Sequence, residues 1–217
     1  MTDETRLKIT EIFHSIQGES TLAGERFSFV RLTGCPLRCT YCDTTYSYSG
    51  GKWMTITEIA AEVASHRTRW VCLTGGEPLA HPNALPLVKR LLNEGKKLSI
   101  ETGGEEDVTP YTGLARIIMD IKTPDSGEKA DRCFANLAHL NASDEIKFVV
   151  CSRQDYEWSK DICRRYDLVR RFTVLFSPAH GTLPLKSLAE WMLEDRLDVR
   201  LQTQLHKHIW GSSSIGV

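Results

Sequence analysis

The sequence predicts an α/β protein in which a partial barrel of about six β/α units carries one site at its mouth. Three observations lead there. Short β-type runs alternate with longer helical ones along the chain, the pattern of parallel βα units. Three loops rich in cysteine or glycine each follow one of those strands. No internal repeat, low-complexity segment or linker divides the 217 residues, so residues 1–217 read as one domain. At 41% hydrophobic, that length can bury one sizeable core.

The elements follow in order. Residues 11–17 run as a strand into a turn at Gly18. Residues 27–32, Phe-Ser-Phe-Val-Arg-Leu, alternate like a half-buried strand. Thr55 stands three residues before Glu58, the spacing of a capping box, and opens a helix to about Arg67. Residues 70–73 form a strand stopped by Gly75-Gly76. Leu87, Val88, Leu91 and Leu92 recur at helical spacing within residues 84–94, and Gly95 supplies the C-terminal cap. Strands are predicted at 97–101, 117–121, 145–150, 172–176 and 199–202, and helices at 131–140, 154–166 and 185–195. About six units fall short of the eight of a closed barrel. In β/α barrels the loops after the strands' C-terminal ends build the active site, so the cysteine loop, Gly75-Gly76 and Thr102-Gly103-Gly104 should converge.

Composition excludes several function classes. Lys and Arg number 27 against 28 Asp and Glu, which gives no basic field for nucleic acid. Residues 1–8 are polar and lack the apolar stretch of a secretory signal. No apolar run approaches the roughly 20 residues that span a bilayer. The expected location is the cytoplasm, with no membrane partner. In that reducing compartment the scattered Cys72, Cys133, Cys151 and Cys163 should be buried thiols.

The other three of the seven cysteines need their own explanation. Cys35, Cys39 and Cys42 make C-x3-C-x2-C, with Pro36 and Arg38 marking a loop. A [4Fe-4S] cluster normally takes four thiolates. Three in one loop can hold three corners and leave the fourth iron for a small chelating ligand. Zinc would want a fourth ligand and pairs of C-x2-C, and neither His14 nor His180 sits at motif spacing. Gly75-Gly76-Glu77-Pro78 alone would be a turn, although glycines let backbone carbonyls approach a ligand closely.

The cysteine spacing, with aromatic Tyr41 before the last cysteine, resembles the radical S-adenosylmethionine (SAM) superfamily, and Gly75-Gly76-Glu77-Pro78 matches its second motif. The resemblance implies a partial (β/α)6 barrel of radical SAM type. It also implies that SAM chelates the open iron and is cleaved to a 5′-deoxyadenosyl radical. Glu11-Ile12-Phe13 through Gln17-Gly18-Glu19, then Phe29-x-Arg31-x-x-Gly34-Cys35 and Cys42-Asp43-Thr44, is similar to the 7-carboxy-7-deazaguanine synthase family, a likeness running from about Ile9 to His206-Lys207. That family converts 6-carboxy-5,6,7,8-tetrahydropterin to 7-carboxy-7-deazaguanine in 7-deazapurine and queuosine biosynthesis. It is a carbon–nitrogen lyase reaction with ring contraction and loss of ammonia, in which hydrogen leaves C6, SAM is regenerated and magnesium assists.

Carried over by motif, the resemblance places Ile16, Gln17 and Gly18 on the pterin and Arg31 on its carboxylate, which a bidentate guanidinium fits. By strand pattern alone, Arg31 would be a surface charge. Thr74 would touch substrate. Tyr41, Cys42, Asp43, Gly76 and Glu77 would lie against SAM. So would Asp120-Ile121-Lys122, which aligns with a stretch often Ser-Pro-Lys, and Phe176-Ser177-Pro178-Ala179. Thr44 matches the magnesium position, where the ion takes further oxygens from substrate; otherwise it reads as a cap or turn. Glu19 is the one candidate acid or base, and its place in Gln-Gly-Glu could equally be structural. His206 and His208 alternate as in a strand, where packing explains them. Gly211-Ser212-Ser213-Ser214 stands where some relatives finish with a proline near the substrate, which leaves a C-terminal substrate contact unsupported. A flavodoxin or ferredoxin reductant and a homodimer are further implications. The alternatives are a glycyl-radical activase, which shares the cysteine spacing but not Gln-Gly-Glu and Cys-Asp-Thr, and a non-catalytic iron–sulfur or zinc module, which has no use for Gly75-Gly76-Glu77-Pro78.

Overall fold

Among the described residues, nine strands form one sheet in the order β3-β1-β2-β4-β5-β6-β7-β8-β9. The computed structural model describes residues 5–129, 131–212 and 214–217. The strands are β1 (Arg6–Ile16), β2 (Arg26–Leu32), β3 (Lys52–Thr55), β4 (Trp70–Gly75), β5 (Lys97–Thr102), β6 (Arg116–Asp120), β7 (Glu145–Val150), β8 (Thr173–Pro178) and β9 (Arg200–Leu201). The helices are α1 (Ile56–Ser65), α2 (Ala84–Asn93), α3 (Cys133–Asn136), α4 (Arg153–Arg165), α5 (Leu168–Arg171), α6 (Leu185–Glu194) and α7 (Leu205–Trp210).

β1 runs antiparallel to β2 and β3, while β2, β4 and each later strand pair in parallel. Among the described residues β3 and β9 are not paired with each other, so the sheet is the expected partial barrel rather than a closed one. Parallel strands covered on both faces read as apolar runs. Val71, Cys72 and Leu73 of β4 are fully buried in that way.

The helices bury the stripe their spacing predicts. Leu87, Val88 and Leu91 of α2 and Ile59 and Val63 of α1 pack on the strands. Each such side chain contributes about 1.5–3 kcal/mol of burial. The capping box of α1 is present: Glu58 N donates to Thr55 Oγ1 at 3.1 Å, and Thr55 N donates to Glu58 Oε2 at 2.8 Å.

Four expectations change. β3 was not foreseen, because Trp53-Met54 is too short an apolar run to stand out. The helix expected over 131–140 contracts to the four residues of α3. The strand expected over 199–202 contracts to Arg200–Leu201. Residues 205–210 form a helix, not the strand that His206 and His208 suggested, since the sheet ends at Leu201 and offers no partner. Residues 1–4 of the polar N-terminal run, and Ser213, lie outside the described residues.

The loop between β1 and β2 positions the site. Gln17 N donates to Glu25 O at 2.9 Å, and Gly24 N returns to Gln17 O at 2.9 Å. The loop tip then crosses under the barrel. Thr21 N donates to Glu145 Oε2 at 3.0 Å on β7, and Arg116 Nη1 donates to Thr21 Oγ1 at 3.0 Å. Ser20, in a left-handed conformation at φ 65°, is held by its N–H to Gln202 Oε1 at 3.0 Å.

Candidate active site

The cysteine loop leaves β2 at Gly34 and is pinned on several sides. Gly34 N donates to Ser47 O at 2.8 Å, and Glu77 N donates to Gly34 O at 2.8 Å. A Cβ at Gly76 would sit 1.8 Å from Gly34 O, so only glycine allows the two motifs to touch. Thr40 N donates to Ser126 O at 2.9 Å. Arg38 donates to Cys35 O at 2.7 Å, and its guanidinium lies 4.3 Å from the Tyr48 ring centre. Cys35, Cys39 and Cys42 are half-buried thiols on one wall of a cavity of about 540 Å³. Burial pushes Cys39 up to about 11 and Cys35 in the same direction. Such thiols ionise readily only beside positive charge, which irons would supply.

The donor set fits a cluster. Three thiols share the wall, and among the described residues no three His, Cys, Asp or Glu side chains are gathered as a single metal ion would need. Around one tetrahedral zinc, thiolates stand about 3.8 Å apart, given Zn–S bonds of about 2.3 Å. A four-iron cluster spreads them more widely. Polar atoms fit a bound cofactor too: Tyr41 Oη and Asp120 Oδ1 are buried with no hydrogen-bond partner among the described residues. Asp120 Oδ2 accepts from Lys122 Nζ at 2.8 Å.

Glu77 is itself buried, and burial raises its pKa. Its Oε1 accepts from Leu79 N at 2.9 Å and Thr102 Oγ1 at 2.8 Å, while Oε2 accepts from Gly103 N at 2.8 Å. The carboxylate therefore joins the loop after β4 to the loop after β5, as the convergence of loops requires.

A second cavity of about 240 Å³ adjoins the first and shares Glu19, Arg31, Asp43, Thr44, Thr74 and Glu101 with it. Ile16, Gln17 and Gly18 line the smaller one. Arg31 Nε donates to Glu11 Oε1 at 2.7 Å, and Tyr46 Oη donates to the same oxygen at 2.9 Å. Burial would lower the guanidinium's pKa, but the nearby Tyr46 and Glu11 hold it above its ordinary value. Gln17 Nε2 and Thr74 Oγ1 donate to opposite oxygens of Glu101, at 3.2 and 2.9 Å.

Glu19 meets Lys147 Nζ from β7, and Gln204 Nε2 at 2.8 Å. Burial alone would raise the Glu19 pKa, but Lys147 and these donors hold it below the ordinary range. Lys147 is held up by Glu19 against the same burial. Asp43 lies below its ordinary value because Lys207 Nζ, at 2.7 Å, outweighs desolvation. Thr44 Oγ1 is 3.7 Å from Cys42 Sγ. One hydroxyl beside a carboxylate already taken by lysine is too poor a set to hold magnesium alone; it suits an ion that shares oxygens with a bound carboxylate.

The larger cavity thus gathers Cys35, Cys39, Tyr41, Cys42, Asp43, Gly76, Glu77, Asp120, Lys122, Ser177, Pro178 and Ala179. It does not gather Ile121 or Phe176, both fully buried in the core. Alternation along extended chain turns them away from the face that carries Asp120, Lys122 and Ser177. The structure adds Glu101, Lys147, Gln204, His206 and Lys207, for which sequence offered no local signal beyond the Gln-x-His-Lys run. Ser214, Ile215, Gly216 and Val217 also line the smaller cavity. Of the scattered cysteines, Cys72, Cys133 and Cys163 are buried as expected, and Cys151 is half-buried.

Comparison with known proteins decides the family. The radical SAM superfamily model matches residues 29–167, from β2 through the cysteine loop and Gly75-Gly76-Glu77-Pro78 into the second half of the sheet. A 7-carboxy-7-deazaguanine synthase of Chlorobaculum tepidum is 43% identical, covering all of both chains. One of Koribacter versatilis is 41% identical over 97% of this chain and 100% of its own. The chain belongs to the 7-carboxy-7-deazaguanine synthase family. Its cofactors are the [4Fe-4S] cluster and SAM of the radical SAM superfamily. The crystal structure of QueE from Escherichia coli has the same fold, with a TM-score of 0.76 at 24% identity over 93% of this chain and 95% of that one. Streptococcus suis SuiB bound to S-adenosylmethionine shares it more distantly, with a TM-score of 0.56 at 13% identity over 82% of this chain and 46% of that one. No helix among the described residues is long and apolar enough to cross a membrane.

Proposed function

We propose that this radical SAM enzyme converts 6-carboxy-5,6,7,8-tetrahydropterin to 7-carboxy-7-deazaguanine, with ring contraction and loss of ammonia. One observation carries the reading: the cavity with three cysteines on its wall adjoins, through a shared wall, a second cavity lined by Gln17, Arg31 and Glu101. When bound, the cluster and SAM supply the radical that takes hydrogen from C6.

The chain's own residues bind and orient. Cys35, Cys39 and Cys42 hold the cluster. Tyr41, Gly76 and the unpartnered Asp120 oxygen face SAM. Arg31 has its Nε fixed by Glu11, which leaves the terminal guanidinium nitrogens for the pterin carboxylate. Thr44 would hold magnesium, with the substrate supplying the further oxygens. Gln17, Thr74 and Glu101 form a linked polar floor for the pterin ring. Glu19 stays ionised and Lys147 stays protonated near pH 7, so the pair orients substrate, and Glu19 is a poor general acid.

The remaining assignments belong to the same proposal. Residues 1–217 act as one domain around one main core, in the cytoplasm. The electron comes from a flavodoxin or ferredoxin, and two chains form a homodimer. Neither the glycyl-radical activase nor the non-catalytic module is favoured.

The test is anaerobic. Reconstituted, reduced protein with SAM, magnesium and the tetrahydropterin should yield 7-carboxy-7-deazaguanine by mass spectrometry, and Cys39→Ala should abolish it. Deoxyadenosine without that product, from protein with a full cluster, would sink the substrate assignment.

A further inference from the structure

Glu19 and Asp43 stand on the wall that both cavities share, yet they come from separate loops. Glu19 follows β1, and Asp43 follows the last cluster cysteine. The segment after β9 reaches both. Gln204 Nε2 donates to Glu19 Oε1 at 2.8 Å and to Asp43 Oδ2 at 3.2 Å. An amide nitrogen carries two hydrogens, so each loop takes one. The segment is anchored around that amide. Leu205 N donates to Gly18 O at 2.9 Å, Gln202 Nε2 lies 3.3 Å from Glu19 Oε2, and Lys207 Nζ lies 2.7 Å from Asp43 Oδ2. His206 packs on Gly18 so closely that a Cβ there would lie 2.1 Å from its Nδ1.

We propose that Gln204 is a positioning residue that couples the pterin-side cavity to the SAM-side cavity, by tying Glu19 to Asp43 through one amide. The proposal rests on the function above for the identity of the two ligands. The amide is planar and its two N–H directions are fixed, so a carboxylate settled on one side constrains the other. Both bonds run to ionised acceptors, the stronger class of hydrogen bond. SAM bound beside Asp43 therefore orders Glu19 for the pterin, and the pterin returns the same factor to SAM, because coupling of binding is reciprocal.

The experiment uses cluster-loaded, unreduced protein, so that no turnover occurs. The Kd of 6-carboxypterin, an oxidised analogue of the substrate, is measured with and without saturating SAM. SAM should tighten it about tenfold in the parent, within the range common for coupled sites. In Gln204→Met, of similar length but with no donor, the factor should fall below about twofold, because both charge-assisted bonds that join Glu19 to Asp43 are removed together. Gln204→Asn keeps the amide on a shorter stem and should fall between; it carries the comparison alone if the methionine variant does not fold. Equal factors in parent and variants, or no effect of SAM in the parent, would overturn the coupling while leaving the function intact. No pterin binding by the parent in either state would overturn the function reading and the coupling with it.

Discussion

Arg31 shows why residue identity matters more than charge at this site. Its Nε is committed to Glu11, and Phe13 and Tyr46 flank the guanidinium with ring centres at 5.9 Å. Lysine would keep the charge and lose the fork. Arg31→Lys should raise KM for the pterin about tenfold or more, with the cluster content unchanged, as steady-state kinetics and iron analysis would report. Lys147 and Glu19 make a different case, a buried pair whose break leaves an uncompensated charge. Lys147→Met should cost about 3–5 kcal/mol in denaturant unfolding, and adding Glu19→Gln should recover part of it. Acid should act through Glu19 and Asp43. Each has a folded-state pKa below its ordinary value, 4.5 and 3.8, so its stabilisation is present above that value and lost as pH falls through the folded one. Thermal melts should therefore hold from neutrality down to about pH 4.5 and drop steeply below it, and melts insensitive to acid would contradict the pairing. The cysteines and the Gln-Gly-Glu run were visible in the sequence because one loop carries each. Glu101 and Lys147 were not, because they reach the cavity from strands whose apolar neighbours mark them only as strand residues.

At the scale of elements, the two radical SAM motifs are one packed unit. Gly76 lies against Gly34 with no room for a methyl group, and Glu77 fastens the next loop to both. Gly76→Ala should fold its sheet but hold less cluster, falling to well under half the parent's iron per chain after reconstitution, because the cysteine loop must shift. Local signals located most elements well. The Thr55 box fixed the start of α1, and the leucine spacing of α2 fixed its buried face. Where the determinant was distant, the sequence misled. His206 and His208 stand at alternate positions, as in a strand, yet residues 205–210 coil into α7 because the sheet has already ended at Leu201. Asp120-Ile121-Lys122 reads as one contiguous patch, yet its middle residue turns into the core.

Across the whole molecule, the barrel's incompleteness is offset by its loops and by the last residues of the sequence. The β1–β2 loop crosses to β7, and residues 214–217 line the smaller cavity. Removing those four residues should weaken 6-carboxypterin binding several-fold while leaving the melting temperature and iron content near the parent's. The crossing loop also sets an order of events during synthesis. Ser20 leaves the ribosome early but finds its partner Gln202 only after another 182 residues have been made. At typical elongation rates that is a delay on the order of 10–40 s. Until β7 is made the Gln-Gly-Glu segment lacks Lys147, and through the whole interval it lacks Gln204, so the pterin-side cavity cannot close before the segment after β9 emerges.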